Sequence, residues 1–142
     1  MKFKSRKDIL FSTIIIGTNL FLLGITLYGI FIGEMEPHEY WTLPLLLGVV
    51  VFLFWMYFGT DYELSPNGLI YRCGPMKGKI GYERIREIVK GRTLWVGFRP
   101  ATARKGLIIK YDRYNEIYIS PKTNEVFIDK ILELKSDVNI TE

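Results

Sequence analysis

The sequence predicts a protein in two parts: an antiparallel pair of membrane-spanning α-helices, then an α+β domain of six or seven short antiparallel strands and one C-terminal helix. Three observations carry this reading. Residues 9–33 and 40–60 contain no charged side chain, while residues 61–142 hold most of the 19 basic and 15 acidic residues. From Asp61 onward, short apolar-alternating runs are broken by turn residues. After Ser120 the apolar residues recur at helical spacing. With 142 residues and a mean hydropathy of +0.13, such a split excludes a single water-soluble globule and a disordered polar chain alike.

The first span, residues 9–33, rises roughly 37 Å as a helix, enough to cross a ~30 Å hydrocarbon core with some tilt. Its polar members Ser12, Thr13, Thr18, Asn19 and Thr26 are uncharged and can bond backbone carbonyls or a neighbouring helix. The second span, residues 40–60, has Pro44 in its first turn, where a missing N–H costs little. Tyr40 and Trp41 sit at one end and Trp55 and Tyr57 at the other, as amphipathic rings do at membrane boundaries. A cleaved signal peptide would also begin with a basic segment. Here the apolar stretch is too long, no small-x-small site follows, and a second span comes next.

Orientation follows from basic residues near the spans. Residues 1–8 carry Lys2, Lys4, Arg6 and Lys7, whereas residues 34–39 between the spans carry three Glu and neither Lys nor Arg. The positive-inside rule places both termini in the cytoplasm of a cell with the short acidic loop outside, as a multi-pass inner-membrane protein.

In the C-terminal part, residues 61–142, strands are expected at 61–64, 69–73, 79–84, 85–90, 93–98, 107–111 and 116–119. Ser65-Pro66-Asn67-Gly68 and Gly74-Pro75-Met76-Lys77-Gly78 read as turns, because Pro fixes φ and Asn-Gly accepts positive φ. Residues 99–106 read as a loop. A helix is expected over about 121–135, with Ser120 as N-cap, Pro121 in its first turn, and Phe127, Ile131 and Leu134 on the face against the sheet. Residues after Lys135 are expected to fray.

Gly59-Thr60-Asp61-Tyr62, Gly74-Pro75-x-x-Gly78-Lys79-Ile80 and Ile85-Arg86-Glu87-Ile88 resemble the bacterial pleckstrin-homology-like (PH-like) domain family. Pro100-Ala101-Thr102-Ala103 with Gly106-Leu107-Ile108-Ile109-Lys110-Tyr111 fits it as well. Glu116-Ile117-Tyr118-Ile119-Ser120-Pro121 with Phe127-Ile128 is the most specific part. The resemblance is to the small membrane-anchored form and covers nearly all of 59–135. It implies a strongly bent antiparallel sheet, a partial barrel, closed at one end by the C-terminal helix. It implies almost nothing about activity, because PH-like folds hold lipid, peptide and protein ligands alike.

Catalytic chemistry finds little support. The single histidine, His38, falls in the loop between the spans, away from any Ser, Cys or Asp of the domain. One His with two flexible carboxylates gives no closed metal-ligand set. Cys73 is the sole cysteine, so it forms no disulfide within the chain and reads as a small core residue. Gly74-Pro75-Met76-Lys77-Gly78-Lys79 has phosphate-loop letters at the wrong spacing, and its flanks are strands. No cofactor is implied.

The one candidate binding feature is basic and aromatic: Arg92, Trp95, Arg99, Arg104 and Lys105, with Phe98 among them and no acid between. Next to an anionic leaflet, each Lys or Arg can contribute about 1 kcal/mol. The rival and plainer reading is a solvated loop with Trp95 turned into the core, since charge runs usually face water. Nucleic acid is not an expected partner, because the domain's excess of basic over acidic residues is small. Gly29-x-x-x-Gly33 offers a small face for homo-oligomer packing, or for packing within the hairpin itself. The leading expectation is a non-catalytic module binding a membrane-protein partner or anionic lipid headgroups at the cytoplasmic face of the bilayer. The alternatives are a protective, immunity-type protein against a membrane-active peptide, and an accessory subunit of a membrane enzyme or transporter.

Overall fold

The computed structural model describes residues 1–33 and 36–142. The expected loop at 34–39 therefore lies partly outside the described residues. Two apolar helices, α1 (Ile9–Ile32) and α2 (Thr42–Phe58), run antiparallel, with a 3-10 turn at Pro37–Glu39 leading into the second. Helix α1, and α2 taken together with the turn before it (Pro37–Phe58), are long and apolar enough to cross a membrane. Along α1, Ile14, Ile16, Leu20, Phe21, Ile25 and Leu27 are exposed, as are Leu45, Leu47, Val51 and Phe52 along α2. Apolar surface on that scale is not stable in water and calls for an apolar environment.

The inward face of α1 is the more polar one. Asn19 is buried and donates to the Ile15 carbonyl at 2.9 Å, and Ser12 hydrogen-bonds the hydroxyl of Tyr57. Tyr57, expected among the boundary rings, is instead buried at the foot of the hairpin. Gly29 lies in a cleft lined by Thr42, Leu43 and Leu46 of α2, whereas Gly17 and Gly24 face open space.

The domain contains two four-stranded sheets. The first has the order β1 (Lys2–Lys4), β2 (Thr60–Ser65), β3 (Gly68–Cys73), β4 (Met76–Ile80). The second has the order β7 (Asn115–Ile119), β6 (Leu107–Tyr111), β5 (Ile85–Lys90), β8 (Asn139–Thr141). Helix α3 (Asn124–Leu134) closes the shared core through Phe127, Ile128 and Ile131. Alternation sets each strand: in β2, Tyr62 and Leu64 are buried while Asp61 and Glu63 reach outward to Arg72. In β6, Leu107, Ile108 and Ile109 are all buried, because both faces of this strand are covered.

The strands at 61–64, 69–73, 85–90, 107–111 and 116–119 form within a residue of their expected limits. Seven expectations need correction. Residues 1–8, read as a basic segment ahead of the first span, also carry β1, which pairs Lys2, Phe3 and Lys4 with Glu63, Tyr62 and Asp61. That pairing captures Ser120 and Pro121 through bonds from Arg6 N–H to the Ser120 carbonyl and from Lys122 N–H to the Lys4 carbonyl. The helix consequently starts three residues later than expected, with Thr123 as its N-cap. Met76, Lys77 and Gly78 belong to β4 rather than to a turn, and Tyr82–Arg84 forms a 3-10 turn instead of extending a strand. Residues 93–98 form no strand, touching β7 at one bridge from Phe98 to Ile117. Finally, Leu134 is exposed and Ile128 takes its core place, while the tail after Lys135 is tied down as β8, parallel to β5 and anchored by buried Val138.

Candidate functional site

The segment from Gly91 to Gly106 leaves β5, crosses the outer face of the second sheet and returns into β6. Leu94 and Ala101 pack on Val89, Ile108 and Tyr118, so part of the loop is itself core. Backbone bonds hold it at both ends: Gly91 N–H to the Gly106 carbonyl at 3.0 Å, and Tyr118 N–H to the Phe98 carbonyl at 3.1 Å. The Tyr118 hydroxyl donates to the Ala103 carbonyl at 2.7 Å and accepts from Gly106 N–H at 2.8 Å. Gly106 is required there, since a Cβ would stand 2.1 Å from the Ile119 carbonyl oxygen.

A buried hydroxyl cluster clasps this loop to the N-terminal segment. Ser5 Oγ lies 2.9 Å from both Thr102 Oγ1 and Ser120 Oγ. The Tyr62 hydroxyl donates to the Pro100 carbonyl at 2.5 Å and accepts from Ser120 N–H at 3.0 Å, and Thr102 Oγ1 donates to the Arg6 carbonyl at 2.7 Å. Burial pushes the Tyr62 phenol up to about 12 from its ordinary value of 10.0. The folded-state value is the higher one, so this contribution to stability is complete below pH ~10 and is lost as pH rises through ~12. Alkaline titration followed by tyrosinate absorbance and circular dichroism is expected to show unfolding steepening across that window. Tyr62→Phe removes the alkaline component and, by orphaning the Ser120 N–H and Pro100 C=O partners, destabilises the neutral protein by about 1–3 kcal/mol.

The clasp sets the predicted residues at the foot of the helices. Arg99 stands with its guanidinium 5.6 Å from the Phe11 ring of α1, 5.9 Å from Trp95 and 6.0 Å from Tyr118, and it donates to the Trp95 carbonyl at 3.3 Å. Arg104 Nε donates to Asp8 Oδ2 at 2.7 Å, and the guanidinium beside Asp8 holds its carboxyl below the usual carboxylate range. The Lys105 backbone N–H donates to Thr93 Oγ1 at 2.9 Å, and its carbonyl accepts from Arg6 at 3.0 Å. Trp95 is 69% exposed and Val96 83% exposed, so the core placement of Trp95 is ruled out. Trp95, Arg104 and Lys105 share a groove of about 740 Å³ with Arg6, Lys7 and Asp8. Arg92 is exposed but lines neither this groove nor the one holding Arg99.

Arg6 and Lys7 join the loop at the Trp95 groove, a contact that no spacing in the sequence signals. Lys7 Nζ lies 3.9 Å from the Phe58 ring centroid and 4.6 Å from that of Tyr57, over the last turn of α2. Their one signal in the sequence is the basic N-terminus, which the positive-inside rule accounts for equally well. The combined feature is a positively charged, ring-bearing ledge built from two distant stretches of chain. Its one acid, Asp8, is already paired.

Two small sheets around one core and a closing C-terminal helix make a PH-like domain. The family model described as "Bacterial PH domain" matches residues 60–135, and the chain belongs to that family. It is similar to the uncharacterized protein YyaB of Bacillus subtilis (strain 168), with 27% identity over 141 residues, covering 99% of this chain and 97% of that protein. The likeness therefore extends through both apolar helices as well as the domain. No solved structure matches the chain.

Proposed function

We propose that this protein is a non-catalytic module of a bacterial inner membrane, anchored by α1 and α2, that docks its 92–105 ledge onto anionic lipid headgroups at the cytoplasmic face. The observation that carries the reading is the placement of exposed Trp95 and an excess of cations beside the feet of two apolar helices. Rings beside cations suit a membrane boundary, where the ring enters the interface and the charge meets phosphate. The β1–β2 pairing supports the orientation, because one sheet joins Lys2–Lys4, ahead of α1, to Asp61–Glu63, which follow α2. Both chain ends then lie on the same side of the bilayer.

Trp95 can report this directly. In a full chain carrying Trp41→Phe and Trp55→Phe, reconstituted into nanodiscs, Trp95 emission is expected to shift to the blue when phosphatidylglycerol is mixed into phosphatidylcholine. Raised salt is expected to reverse the shift, because the Debye length falls from about 8 Å to about 3 Å between 0.15 and 1 M. Replacing Arg92, Arg104 and Lys105 with Ala is expected to weaken docking on the order of 100-fold, at about 1 kcal/mol per charge. A Trp95 spectrum indifferent to anionic lipid would remove the ledge from the reading.

A further inference from the structure

A second groove, of about 210 Å³, opens where the hairpin meets the domain, between Phe11 and Ile15 of α1, Leu53 and Met56 of α2, and Arg99 and Ala101 of the loop. Its surface is apolar apart from Arg99. The other polar side chains on its wall spend their hydrogen bonds inside the protein: Tyr57 with Ser12, Thr60 on the Met56 carbonyl at 2.6 Å, and Thr102 on the Arg6 carbonyl. Arg99 does not. Of five guanidinium N–H donors, one hydrogen bond is made, to Trp95, and among the described residues Arg99 enters no ion pair. An unpaired, half-buried guanidinium held among three rings at the mouth of an apolar slot is complementary to an amphiphile with an anionic head.

We infer that this groove holds one phospholipid of the surrounding bilayer, its phosphate on Arg99 and the upper part of one acyl chain between Phe11, Ile15, Leu53 and Met56. The inference rests on the reading that α1 and α2 cross the bilayer. It differs from collective surface docking in being a one-to-one site with its own cation, and Arg99 is left intact in the triple variant above. The slot has room for several methylene groups, and a chain entering it stays continuous with the apolar flank of both helices.

The test is native mass spectrometry of the full chain released from nanodiscs of phosphatidylglycerol and phosphatidylcholine. The wild-type protein is expected to retain one phospholipid. Arg99→Gln, which removes the charge, and Ala101→Phe, which fills the slot, are each expected to lower that occupancy about tenfold or more, as loss of a charge-assisted hydrogen bond does. Unchanged hydrogen exchange in β6 establishes that both variants are folded, and each change acts on a different part of the site. Because both lipids carry a phosphate, adducts of either kind that vanish together in the variants support the site. Equal retention by wild type and both variants overturns it, as does a groove that holds detergent alone or a polypeptide. Loss of the Trp95 response with the single adduct intact would reject surface docking while leaving this site standing.

Discussion

Deleting residues 2–5 from the full chain is expected to destabilise the domain by about 5 kcal/mol, a large part of the ~5–15 kcal/mol that holds a typical domain folded. The deletion removes all three β1–β2 register pairs. It also removes Phe3, whose ring meets Phe127 edge-on at 5.1 Å, and Ser5, whose hydroxyl joins Thr102, Ser120 and Tyr62. Partial loss of a packed aromatic costs roughly 2–3 kcal/mol, and each buried partner left unsatisfied adds about 1 kcal/mol or more. Hydrogen exchange of the chain in nanodiscs is the appropriate measurement. Protection in β2 is expected to fall by several orders of magnitude, with the 92–105 loop released at the same time. A fragment of residues 61–142 lacks the same strand and is expected to be unstable alone, contrary to what its length and alternation suggest. Wild-type protection in the deletion variant would show that β1 is an ornament of the sheet rather than part of it.

Phe127→Ala is the most damaging single substitution expected, at about 3–5 kcal/mol. Phe127 is fully buried in α3 and meets the rings of both Phe3 and Tyr62, the latter at 6.4 Å, so it locks the helix to β1 and β2 together. Within a domain of this size such a loss lowers the midpoint of thermal unfolding on the order of 15 °C or more. Leu134 on the same helix is the internal control. It is half exposed, and Leu134→Ala is expected to change stability by less than ~1 kcal/mol. Similar effects at the two positions would mean that α3 is packed on a different face.

These two residues also mark how far sequence reasoning carries. Phe127 and Ile131 were legible because helical spacing and burial coincide, and the paired strands were legible because Pro66-Asn67 and Gly74-Pro75 sit between alternating runs. Lys2-Phe3-Lys4 was not. Three residues carry no period, and their partner strand lies beyond both apolar helices, so tertiary pairing alone makes them a strand. Pairing also explains the Ser120 misreading: a residue with cap chemistry was taken by a hydroxyl cluster assembled from four separate stretches. Thr93-Leu94-Trp95-Val96-Gly97-Phe98 looks like a strand because its apolar residues serve two purposes, Leu94 anchoring the loop and Trp95 and Val96 facing outward. In the candidate site, the residue types and the loop were visible in advance. The partnership with Arg6, Lys7 and Asp8 was not, because it exists only once β1 has folded back.

The central claim is that the domain sits against the bilayer with the Trp95 end of its second sheet facing the membrane. Val96 and Tyr114 are both more than four-fifths exposed; Tyr114 sits in the turn between β6 and β7, whereas Val96 belongs to the loop that leaves β5 after Lys90 and enters β6 at Leu107, at the other end of those strands. Spin labels on Val96→Cys and Tyr114→Cys, each in a Cys73→Ala full chain reconstituted with anionic lipid, compare the two ends in one measurement. The label at 96 is expected to collide with oxygen dissolved in the bilayer and to be shielded from a water-soluble nickel chelate, while the label at 114 shows the reverse. Equal exposure of both labels to the nickel chelate would contradict this placement.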